Sequence, residues 1–509
     1  MQPERLAARD LERTLTYRDW NARACRLANA LTGLGLGHGE RVAVLAYNRL
    51  EWAEIYAAVA KAGLIAVPVN FRLSAPEVQF ILEDCAVGAI LVEEALADSI
   101  DEIRAALPLA DDRYILIGNS GKRAGYRAYE MLIGEASAKE PEVPVAPEDT
   151  WCLMYTSGTT GQPKGAIRDH HSSAMIALMT AIELGLDRRD CALLVMPMCH
   201  ANSLYFFTAF LYCGGAVAIY SRPSFDPALC LATFDETGAS FTSLVPTQYN
   251  MLLDVPTAER GGIAFDRVEK LMISSAPART DTKRAIMEMF PNSGLFELYG
   301  STEAAWATML HPDEQFDKLG SVGREVVGCA PIRLLDGDGV EVPDGQPGEL
   351  YSSGPYNFQG YWNNPAKTAE AFRGDYLSVG DIALRDTDGY IRLIDRKNNL
   401  IISGGENIYP SEVEHALAAH PAVRDIAVVG RPDDKWGESV QAAVVRRAGV
   451  ALADNELIAW ARERLAGFKV PREIVFLEAD EMPRNATGKI LHRVLRETLA
   501  ARRGPDTDK

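Results

Sequence analysis

Residues 155–165 have the sequence YTSGTTGQPKG, and the apolar residues WCLM at 151–154 precede them directly. The apolar run predicts a buried strand, so the glycine-rich segment is predicted to be a loop that leaves the end of that strand. Glycines let the backbone approach a ligand closely, hydroxyls donate hydrogen bonds, and a lysine adds positive charge. The composition therefore predicts a phosphate-binding loop, although its spacing differs from that of a P-loop. The residues assigned to it are Thr156, Ser157, Gly158, Thr159, Thr160, Gly161 and Lys164.

Apolar runs alternate with helical patterns on both sides of this loop. RVAVLAY (41–47) and GLIAVPV (63–69) are such runs, and the segment Trp20–Leu34 keeps apolar residues at helical spacing. The alternation predicts parallel sheets covered by helices. The runs ASFTSLVP (239–246), KLMISSAP (270–277) and GLFELYG (294–300) end in small residues, where a ligand can approach the strand end.

The sequence changes character after about residue 320. Turn-rich stretches such as LLDGDGVEVPDGQPGELYSSG (334–354) predict a small, mostly antiparallel, barrel-like β region. Beyond Asn398, the pattern Ser411 to Glu414 predicts a capping box that opens a helix, followed by strands and two further helices. The predicted fold class is therefore α/β, with a large N-terminal domain (1–397) and a smaller α+β C-terminal domain (398–509).

Composition and charge exclude several classes of protein. The net charge of -18 argues against general binding to nucleic acid, and 47% hydrophobic residues argue against disorder. The eight cysteines lack C-x-x-C spacing, so neither a zinc site nor a disulfide framework is predicted. The uncharged stretch Leu204–Tyr220 is interrupted by Gly214 and Gly215, which predicts a buried helix, turn and strand rather than a membrane segment. A cytoplasmic location is expected.

Four later motifs follow the glycine-rich loop in order. They are YGSTEA (299–304), SVGD (378–381), DRKNNLIISGGENIYPSEVE (395–414) and PRNATGKI (483–490). With YTSGTTGQPKG they resemble the signature of the acyl-adenylate-forming superfamily, which contains acyl-CoA synthetases, adenylation domains and luciferases. The resemblance covers nearly the whole chain. It implies an ATP-dependent acid:CoA ligase that uses ATP, Mg²⁺ and coenzyme A, with residues 1–397 as the AMP-binding domain and 398–509 as a mobile lid hinged near Asn398.

The resemblance also implies residue roles in nucleotide binding. Tyr299 is expected to stack on adenine, Thr302 to contact the α-phosphate, and Glu303 with Thr159 to hold Mg²⁺, for which a carboxylate is a suitable hard ligand. Asp381 is expected to accept the ribose hydroxyls, although Val379 stands where the family more often has threonine. Further nucleotide-binding positions carried over from the family are Ser275, Ala276, Pro277, Glu297, Leu298, Gly300, Ser301 and Arg396.

Other roles concern catalysis and coenzyme A. Lys489 resembles the mobile lysine that bridges the substrate carboxylate and the α-phosphate, where a cation offsets the repulsion of two anions. Gly404 and Gly405 resemble the loop that lines the pantetheine tunnel after the small domain has turned. Weaker similarity places Trp436, Phe468 and Lys469 at the nucleotide of coenzyme A, because an aromatic at such spacing is more often packing.

The acid itself stays open. His200 in MPMCHANS (196–203) is expected to gate or line the acyl pocket, with Ala304, Ala305 and Trp306 near the acyl chain. A medium-chain or long-chain fatty acid or an aromatic acid is favoured. Transfer to a carrier protein, luciferase-type oxidation and a non-catalytic acyl or nucleotide sensor are the alternatives, and a homodimer is an open alternative to a monomer.

Overall fold

A computed structural model describes residues 2–118, 122–157, 163–260, 262–263, 265–274, 278–403, 406–484, 488 and 490–502. These residues divide into two compact units. Unit 1 comprises the chain up to Ile332 together with Ser352–Leu377, and unit 2 comprises Arg333–Tyr351 with the chain from Ser378 onward. The predicted boundary at residues 397 and 398, and the hinge, stay predictions.

The strands are given in chain order. They are β1 (Leu6–Arg9), β2 (Thr14–Thr16), β3 (Arg41–Leu45), β4 (Ile65–Val69), β5 (Ala89–Glu93), β6 (Tyr114–Ile117), β7 (Arg127–Ala128), β8 (Thr150–Ser157), β9 (Pro163–Asp169), β10 (Cys191–Leu194), β11 (Ala216–Ile219), β12 (Phe241–Leu244), β13 (Lys270–Ser274), β14 (Gly294–Ser301), β15 (Ala305–Leu310), β16 (Arg324–Glu325), β17 (Arg333–Leu335), β18 (Gly348–Tyr351), β19 (Phe372–Arg373), β20 (Tyr376–Leu377), β21 (Asp381–Arg385), β22 (Ile391–Arg396), β23 (Ile401–Ser403), β24 (Glu406–Ile408), β25 (Val423–Asp433), β26 (Gly437–Arg446) and β27 (Glu473–Leu477).

The α-helices are numbered in the same way. They are α1 (Tyr17–Gly33), α2 (Glu51–Lys61), α3 (Ala75–Asp84), α4 (Ala97–Ile103), α5 (Tyr129–Glu135), α6 (His170–Leu184), α7 (Ala201–Tyr212), α8 (Pro227–Thr237), α9 (Pro246–Leu253), α10 (Thr280–Met289), α11 (Pro365–Ala371), α12 (Pro410–Ala418), α13 (Asp454–Arg462) and α14 (His492–Ala501).

Parallel sheets dominate unit 1, as the alternating pattern predicted. One sheet has the strand order β7, β6, β5, β3, β4, β8, β9, and only the β8–β9 pair in it is antiparallel. Another has the order β16, β15, β14, β13, β12, β10, β11, β1, β2, with antiparallel pairs at both edges. The central strand β4 is apolar and buried along its whole length, as expected where helices cover both faces of a sheet. The predicted α/β class is confirmed.

The uncharged stretch Leu204–Tyr220 forms the predicted helix, turn and strand. Helix α7 is buried along most of its length and ends before Gly214, whose φ of 73° allows the turn into β11. The leucine and aromatic side chains of α7, among them Leu204, Phe206 and Phe210, belong to the apolar core of unit 1. No helix within the described residues is both long enough and apolar enough to cross a membrane.

Unit 2 contains the predicted antiparallel region and the predicted α+β elements. Strands β17, β18, β21 and β22 form an antiparallel sheet, and β24, β23, β26 and β25 form another, with β27 parallel to β26. The predicted capping box at Ser411 is wrong. Helix α12 begins at Pro410, which suits the first helical position, and the Ser411 hydroxyl donates to the Ile394 carbonyl instead.

Candidate active site

The glycine-rich loop connects two antiparallel strands at its predicted place. Strand β8 carries Thr156 and β9 carries Lys164, and these residues are directly paired in the register of the hairpin. The pairing places a hydroxyl and an ammonium group on neighbouring strands beside the connection. The predicted strand before the loop is confirmed, but it extends to Ser157, and β9 begins at Pro163, so the ends of the segment predicted as a loop are strands. Residues 158–162 lie outside the described residues.

Glu303 lies buried beside this hairpin, in the turn between β14 and β15. Its Oε1 accepts a hydrogen bond from the Tyr361 hydroxyl at 2.8 Å and a longer one from the Thr156 hydroxyl at 3.4 Å. Lys164 is close enough for the Glu303 charge to act on it, but burial is the larger influence and lowers the pKa of its ammonium group. The structure thus brings Thr156, Lys164 and Glu303 together, as the motifs predicted.

The turn that carries Thr302 and Glu303 requires glycine at position 300. The pairing of β14 and β15 shifts register between Tyr299 and Gly300, and a Cβ added at Gly300 would lie 2.0 Å from the Ala305 carbonyl oxygen. The Ser301 hydroxyl accepts from the Ala304 N–H at 2.9 Å and closes the turn. Gly300 therefore allows the close backbone approach that positions Thr302 and Glu303 in the turn.

Sequence reasoning missed Arg168, which anchors the Glu303 main chain. This side chain on β9 is fully buried, and its guanidinium donates to the Glu303 carbonyl at 3.2 Å and to the Tyr356 carbonyl at 2.7 Å. The Phe358 N–H donates to the same Glu303 carbonyl at 2.8 Å. No local signal distinguished Arg168, because the same strand also carries Lys164 and Asp169.

Five predicted nucleotide positions, Glu297 to Ser301, lie on β14. The Glu297 carboxylate is buried and paired with the buried ammonium of Lys283, which also donates to Gln315 at 3.1 Å. Burial raises the pKa of Glu297, and Lys283 opposes that effect. Leu298 and Tyr299 are buried as well. Their roles in nucleotide binding stay predictions.

The segment MPMCH (196–200) is held by Asn48, another residue that the sequence did not reveal. Its side-chain amide donates to the Val195 and Met196 carbonyls and accepts from the Met198 N–H at 2.7 Å. His200 follows at the start of α7, and burial lowers the pKa of its imidazole to about 4. Its Nε2 is buried without a hydrogen-bond partner in the part of the chain that the structure describes.

The predicted acyl-chain residues lie at the start of β15. Ala304, Ala305 and Trp306 are buried. The Trp306 indole donates to the Thr180 hydroxyl at 2.9 Å and stacks on Phe206, with ring centroids 5.5 Å apart. Trp306 is therefore fixed by both a hydrogen bond and aromatic packing.

In unit 2, the SVGD motif places Asp381 next to its predicted companion. The Asp381 Oδ1 lies 3.0 Å from the Arg396 Nε, on the paired strands β21 and β22. The Ser378 hydroxyl donates to Glu349 at 2.8 Å and accepts from the Gly380 N–H at 3.0 Å, so the loop before Asp381 is ordered without a threonine hydroxyl at Val379.

The predicted coenzyme A residues of unit 2 are largely exposed. Trp436 has cations on its ring, with Lys435 at 4.8 Å and Arg472 at 5.7 Å from the centroid. Lys469 lies 5.6 Å from the Phe468 centroid, and its ammonium also contacts both oxygens of Glu412 at 2.7 Å. These groups are accessible aromatic surfaces with nearby positive charge.

Several predicted site residues lie outside the described residues. They are Gly158, Thr159, Thr160, Gly161, Ser275, Ala276, Pro277, Gly404, Gly405 and Lys489, together with the side chains of Ser157 and Asn398. Their assigned roles stay predictions.

The fold and the buried carboxylate beside a glycine-rich hairpin define the class of an adenylate-forming enzyme. The family model described as AMP-binding enzyme matches residues 1–362, and the model described as AMP-binding enzyme C-terminal domain matches residues 412–489. The chain belongs to this family of AMP-binding enzymes.

Known proteins resemble the chain over nearly its whole length. A feruloyl-CoA synthase of Amycolatopsis is 34% identical, covering 96% of this chain and 95% of that protein. The long-chain-fatty-acid–CoA ligase FadD13 of Mycobacterium tuberculosis is 34% identical, covering 96% and 93%. The structure of o-succinylbenzoate coenzyme A synthetase (MenE) from Bacillus subtilis with ATP and magnesium ion superposes with a TM-score of 0.84 at 29% identity, covering 97% of each chain.

These similarities confirm the predicted superfamily and the predicted class of enzyme, an AMP-forming acid:CoA ligase that uses ATP, Mg²⁺ and coenzyme A. The described residues fit a metal ion, because Glu303 offers a carboxylate whose Oε2 has no hydrogen-bond donor among them.

Proposed function

We propose that the enzyme activates an aromatic or fatty carboxylic acid with ATP and transfers the acyl group to coenzyme A. The acid's carboxylate oxygen attacks the α-phosphorus of ATP, and pyrophosphate leaves as acyl-AMP forms. The thiol of coenzyme A then attacks the acyl carbonyl, loses its proton to solvent, and AMP leaves. The observation that carries this proposal is the buried Glu303 carboxylate, held beside Lys164 and Thr156 at the glycine-rich hairpin.

Charge stabilisation is the main task of the residues in unit 1. Glu303, with Thr159, would hold Mg²⁺, which neutralises charge on the phosphates as pyrophosphate leaves. Lys164 contributes a cation whose pKa burial lowers. Tyr299 stacks on adenine, and Thr302 contacts the α-phosphate. These roles follow from the family resemblance and from the position of β14 and its turn.

Unit 2 contributes the remaining groups. Asp381 accepts the ribose hydroxyls, and its pairing with Arg396 at 3.0 Å leaves a carboxylate that is already oriented by a cation. Lys489 bridges the acid and the α-phosphate during adenylation. Rotation about Asn398 then exchanges Lys489 for the loop at Gly404, as in other enzymes with lids that act between steps.

An apolar acid is supported by the surroundings of Trp306. The family resemblance places Ala304, Ala305 and Trp306 beside the acyl chain, and the Trp306 ring, fixed by Thr180 and Phe206, would meet that chain with an apolar side chain rather than a charge. His200 is neutral near pH 7, because burial lowers the pKa of its imidazole to about 4. A neutral imidazole suits the lining of a pocket for an alkyl or aryl chain, and it supplies no cation for a second carboxylate.

The proposal is tested by measuring pyrophosphate release over a panel of aromatic and fatty acids, with and without coenzyme A. We expect acid-dependent pyrophosphate release, and AMP release that accelerates when coenzyme A is added. No acid-dependent cleavage of ATP would contradict the adenylation step. AMP release that required an acyl carrier protein instead of coenzyme A would contradict the proposed acceptor.

Domain alternation is tested with Lys489→Ala. This variant should lose adenylation by roughly a hundredfold or more, the loss typical of removing one preorganised charge-stabilising group, yet still convert supplied acyl-AMP to acyl-CoA. Lys469→Ala is the matched control, a lysine of the same unit that should not affect adenylation. Equal loss of both half-reactions in Lys489→Ala would contradict alternation.

A homodimer remains an open alternative to a monomer, and a cytoplasmic location remains our prediction from the sequence. Light scattering of the purified chain would test the first, and fractionation of the native cells would test the second.

A further inference from the structure

A buried phenol lies between the candidate metal ligand and the phosphate-loop lysine. The Tyr361 hydroxyl donates to Glu303 Oε1 at 2.8 Å. The face of the same ring lies 4.2 Å, measured to its centroid, from the Lys164 Nζ. Tyr361 lies outside the sequence motifs that predicted the site. Its side chain nevertheless contacts both Glu303 and Lys164.

The backbone around Tyr361 is fixed against β9. The Trp362 N–H donates to the Gly165 carbonyl at 2.7 Å, and the Ile167 N–H donates to the Gly360 carbonyl at 2.9 Å. The Tyr361 N–H itself donates to the Thr368 hydroxyl at 2.8 Å. The ring is thus attached to the strand that carries Lys164, and its position does not depend on the Glu303 side chain.

The hydrogen bonds to Glu303 are distributed unevenly over its carboxylate. Tyr361 and Thr156 both contact Oε1, whereas Oε2 has no hydrogen-bond donor among the described residues. Arg168 contacts only the main-chain carbonyl. One oxygen is therefore fixed by neutral hydroxyls, and the other is left to accept a cation.

The neutrality of the Tyr361 hydroxyl matters for metal binding. An arginine or lysine at this oxygen would neutralise the carboxylate and reduce its attraction for Mg²⁺. A phenol orients the carboxylate and adds no net charge. Its ring face, which carries negative electrostatic potential, meanwhile attracts the Lys164 ammonium and keeps it near the site without an ion pair to Glu303.

We propose that Tyr361 is a positioning residue for Mg·ATP binding: its hydroxyl holds Glu303 Oε1, so that Oε2 would be available to the metal ion, and its ring holds the Lys164 ammonium near the site. This inference rests on the proposed role of Glu303 in holding Mg²⁺. It predicts that the hydroxyl and the ring of one side chain have separable effects, the first on the metal and the second on the nucleotide.

The test compares Tyr361→Phe, Tyr361→Leu and the control Tyr356→Phe. Tyr356 is a buried tyrosine of the same segment, and its hydroxyl donates to the Val327 carbonyl at 3.3 Å, away from Glu303. Thermal stabilisation by ATP is measured as a function of Mg²⁺ concentration, which needs no turnover. The rate of pyrophosphate release is then measured over the same Mg²⁺ range with an acid that the wild type activates.

For Tyr361→Phe, we expect the half-saturating Mg²⁺ concentration to rise about tenfold in both measurements, the size expected for losing one hydrogen bond to a charged group. The maximal rate at saturating Mg²⁺ should stay within about twofold. Tyr361→Leu should show the same Mg²⁺ effect and, in addition, about threefold weaker stabilisation by ATP without metal, because Lys164 loses the ring face. Tyr356→Phe should match the wild type in Mg²⁺ dependence.

An unchanged Mg²⁺ dependence in Tyr361→Phe would overturn the inference, and so would an equal change in Tyr356→Phe, which would indicate general loosening of the segment. If ATP stabilised the wild type equally with and without Mg²⁺, the proposed metal role of Glu303 would fail instead. The two failures are therefore distinguished by the wild-type titration alone.

Discussion

In unit 1, Glu303 and Lys283 are buried, whereas in unit 2 the aromatic residues assigned to coenzyme A are exposed. Glu303 is 7% exposed and Lys283 1%, while Trp436 is 38% and Phe468 43% exposed. A buried polar group without a partner costs free energy, so buried groups are held in place by their partners. An exposed group can exchange water for a ligand at a small cost in free energy. The buried charges of unit 1 and the exposed coenzyme A positions of unit 2 therefore differ in how far their geometry is set before any ligand binds.

This difference fits the two halves of the proposed reaction. Adenylation needs charges that are in place before phosphorus is attacked, since reorganisation at that moment would raise the barrier. Binding of coenzyme A needs an accessible aromatic surface and cations that can adjust. Substitutions in unit 1 should accordingly change stability strongly, and substitutions in unit 2 should change mainly the affinity for coenzyme A.

Lys283→Met should give the largest effect. The substitution leaves the Glu297 carboxylate buried without its cation, and such a change typically costs about 3–5 kcal/mol of unfolding free energy. The measurement is denaturant unfolding of the purified chain at pH 7. The double variant Lys283→Met with Glu297→Leu should recover much of the loss, because an apolar pair replaces the ion pair.

A loss below 1 kcal/mol in the single variant would contradict this difference between the units. An equal loss in the double variant would show that packing, rather than the unpaired charge, limits stability.

His200 should make unit 1 sensitive to acid. Burial lowers the pKa of its imidazole to about 4, below its usual value of 6.5. The unfolded chain therefore takes up a proton between these values while the native state does not, so stability is full above pH 6.5 and falls as the pH drops toward 4. At about 1.36 kcal/mol per pKa unit the loss approaches about 3 kcal/mol.

The test is the pH dependence of denaturant unfolding in His200→Asn and in the control His415→Asn, an exposed histidine of unit 2. The slope between pH 4 and 6.5 should be shallower only in His200→Asn. Parallel slopes in the wild type and both variants would contradict the assignment.

The sequence predicted the elements that bear motifs better than the contacts that support them. YTSGTTGQPKG and YGSTE located Thr156, Lys164 and Glu303, because glycines and hydroxyls clustered at strand ends have few other uses. Arg168 and Tyr361 were missed, although they fix Glu303, because their partners lie 135 and 58 residues away in the chain. Contacts of that kind depend on how strands associate, which local patterns do not encode.

The error at Ser411 has a related cause. Ser411, followed three residues later by Glu414, satisfied the capping-box pattern. Pro410 suits the first helical position, however, and α12 begins there, so Ser411 lies inside the helix instead of capping it. The Ser411 N–H and hydroxyl were then used by Asp395 and Ile394. The capping-box pattern and the proline thus predicted different helix starts, and the contacts of Ser411 with Asp395 and Ile394 accompany the start at the proline.

Trp436→Ala should have a smaller effect, confined to coenzyme A. Stacking of a base on an aromatic side chain contributes about 1–3 kcal/mol, so the KM for coenzyme A should rise about tenfold. The half-saturating ATP concentration and the rate of acyl-AMP formation should not change, and Trp436→Phe, which keeps an aromatic face, should lie between. A rise in KM for ATP would place Trp436 in the adenylation step. It would contradict the assignment of this residue to coenzyme A alone.

Glu412→Gln should give the smallest effect, in the direction of tighter binding. The Lys469 ammonium contacts both Glu412 oxygens at 2.7 Å, and this pair is partly exposed, so it contributes about 0.2–1 kcal/mol. Removing the carboxylate charge leaves Lys469 for a phosphate of coenzyme A, and the KM should fall about twofold while unfolding free energy changes by less than about 1 kcal/mol. Glu463→Gln, which removes a carboxylate from another exposed pair of unit 2, should leave the KM unchanged. A rise in KM in Glu412→Gln would mean that the carboxylate positions Lys469 for the ligand, and the exposed surface would then be preorganised in the same way as the buried site.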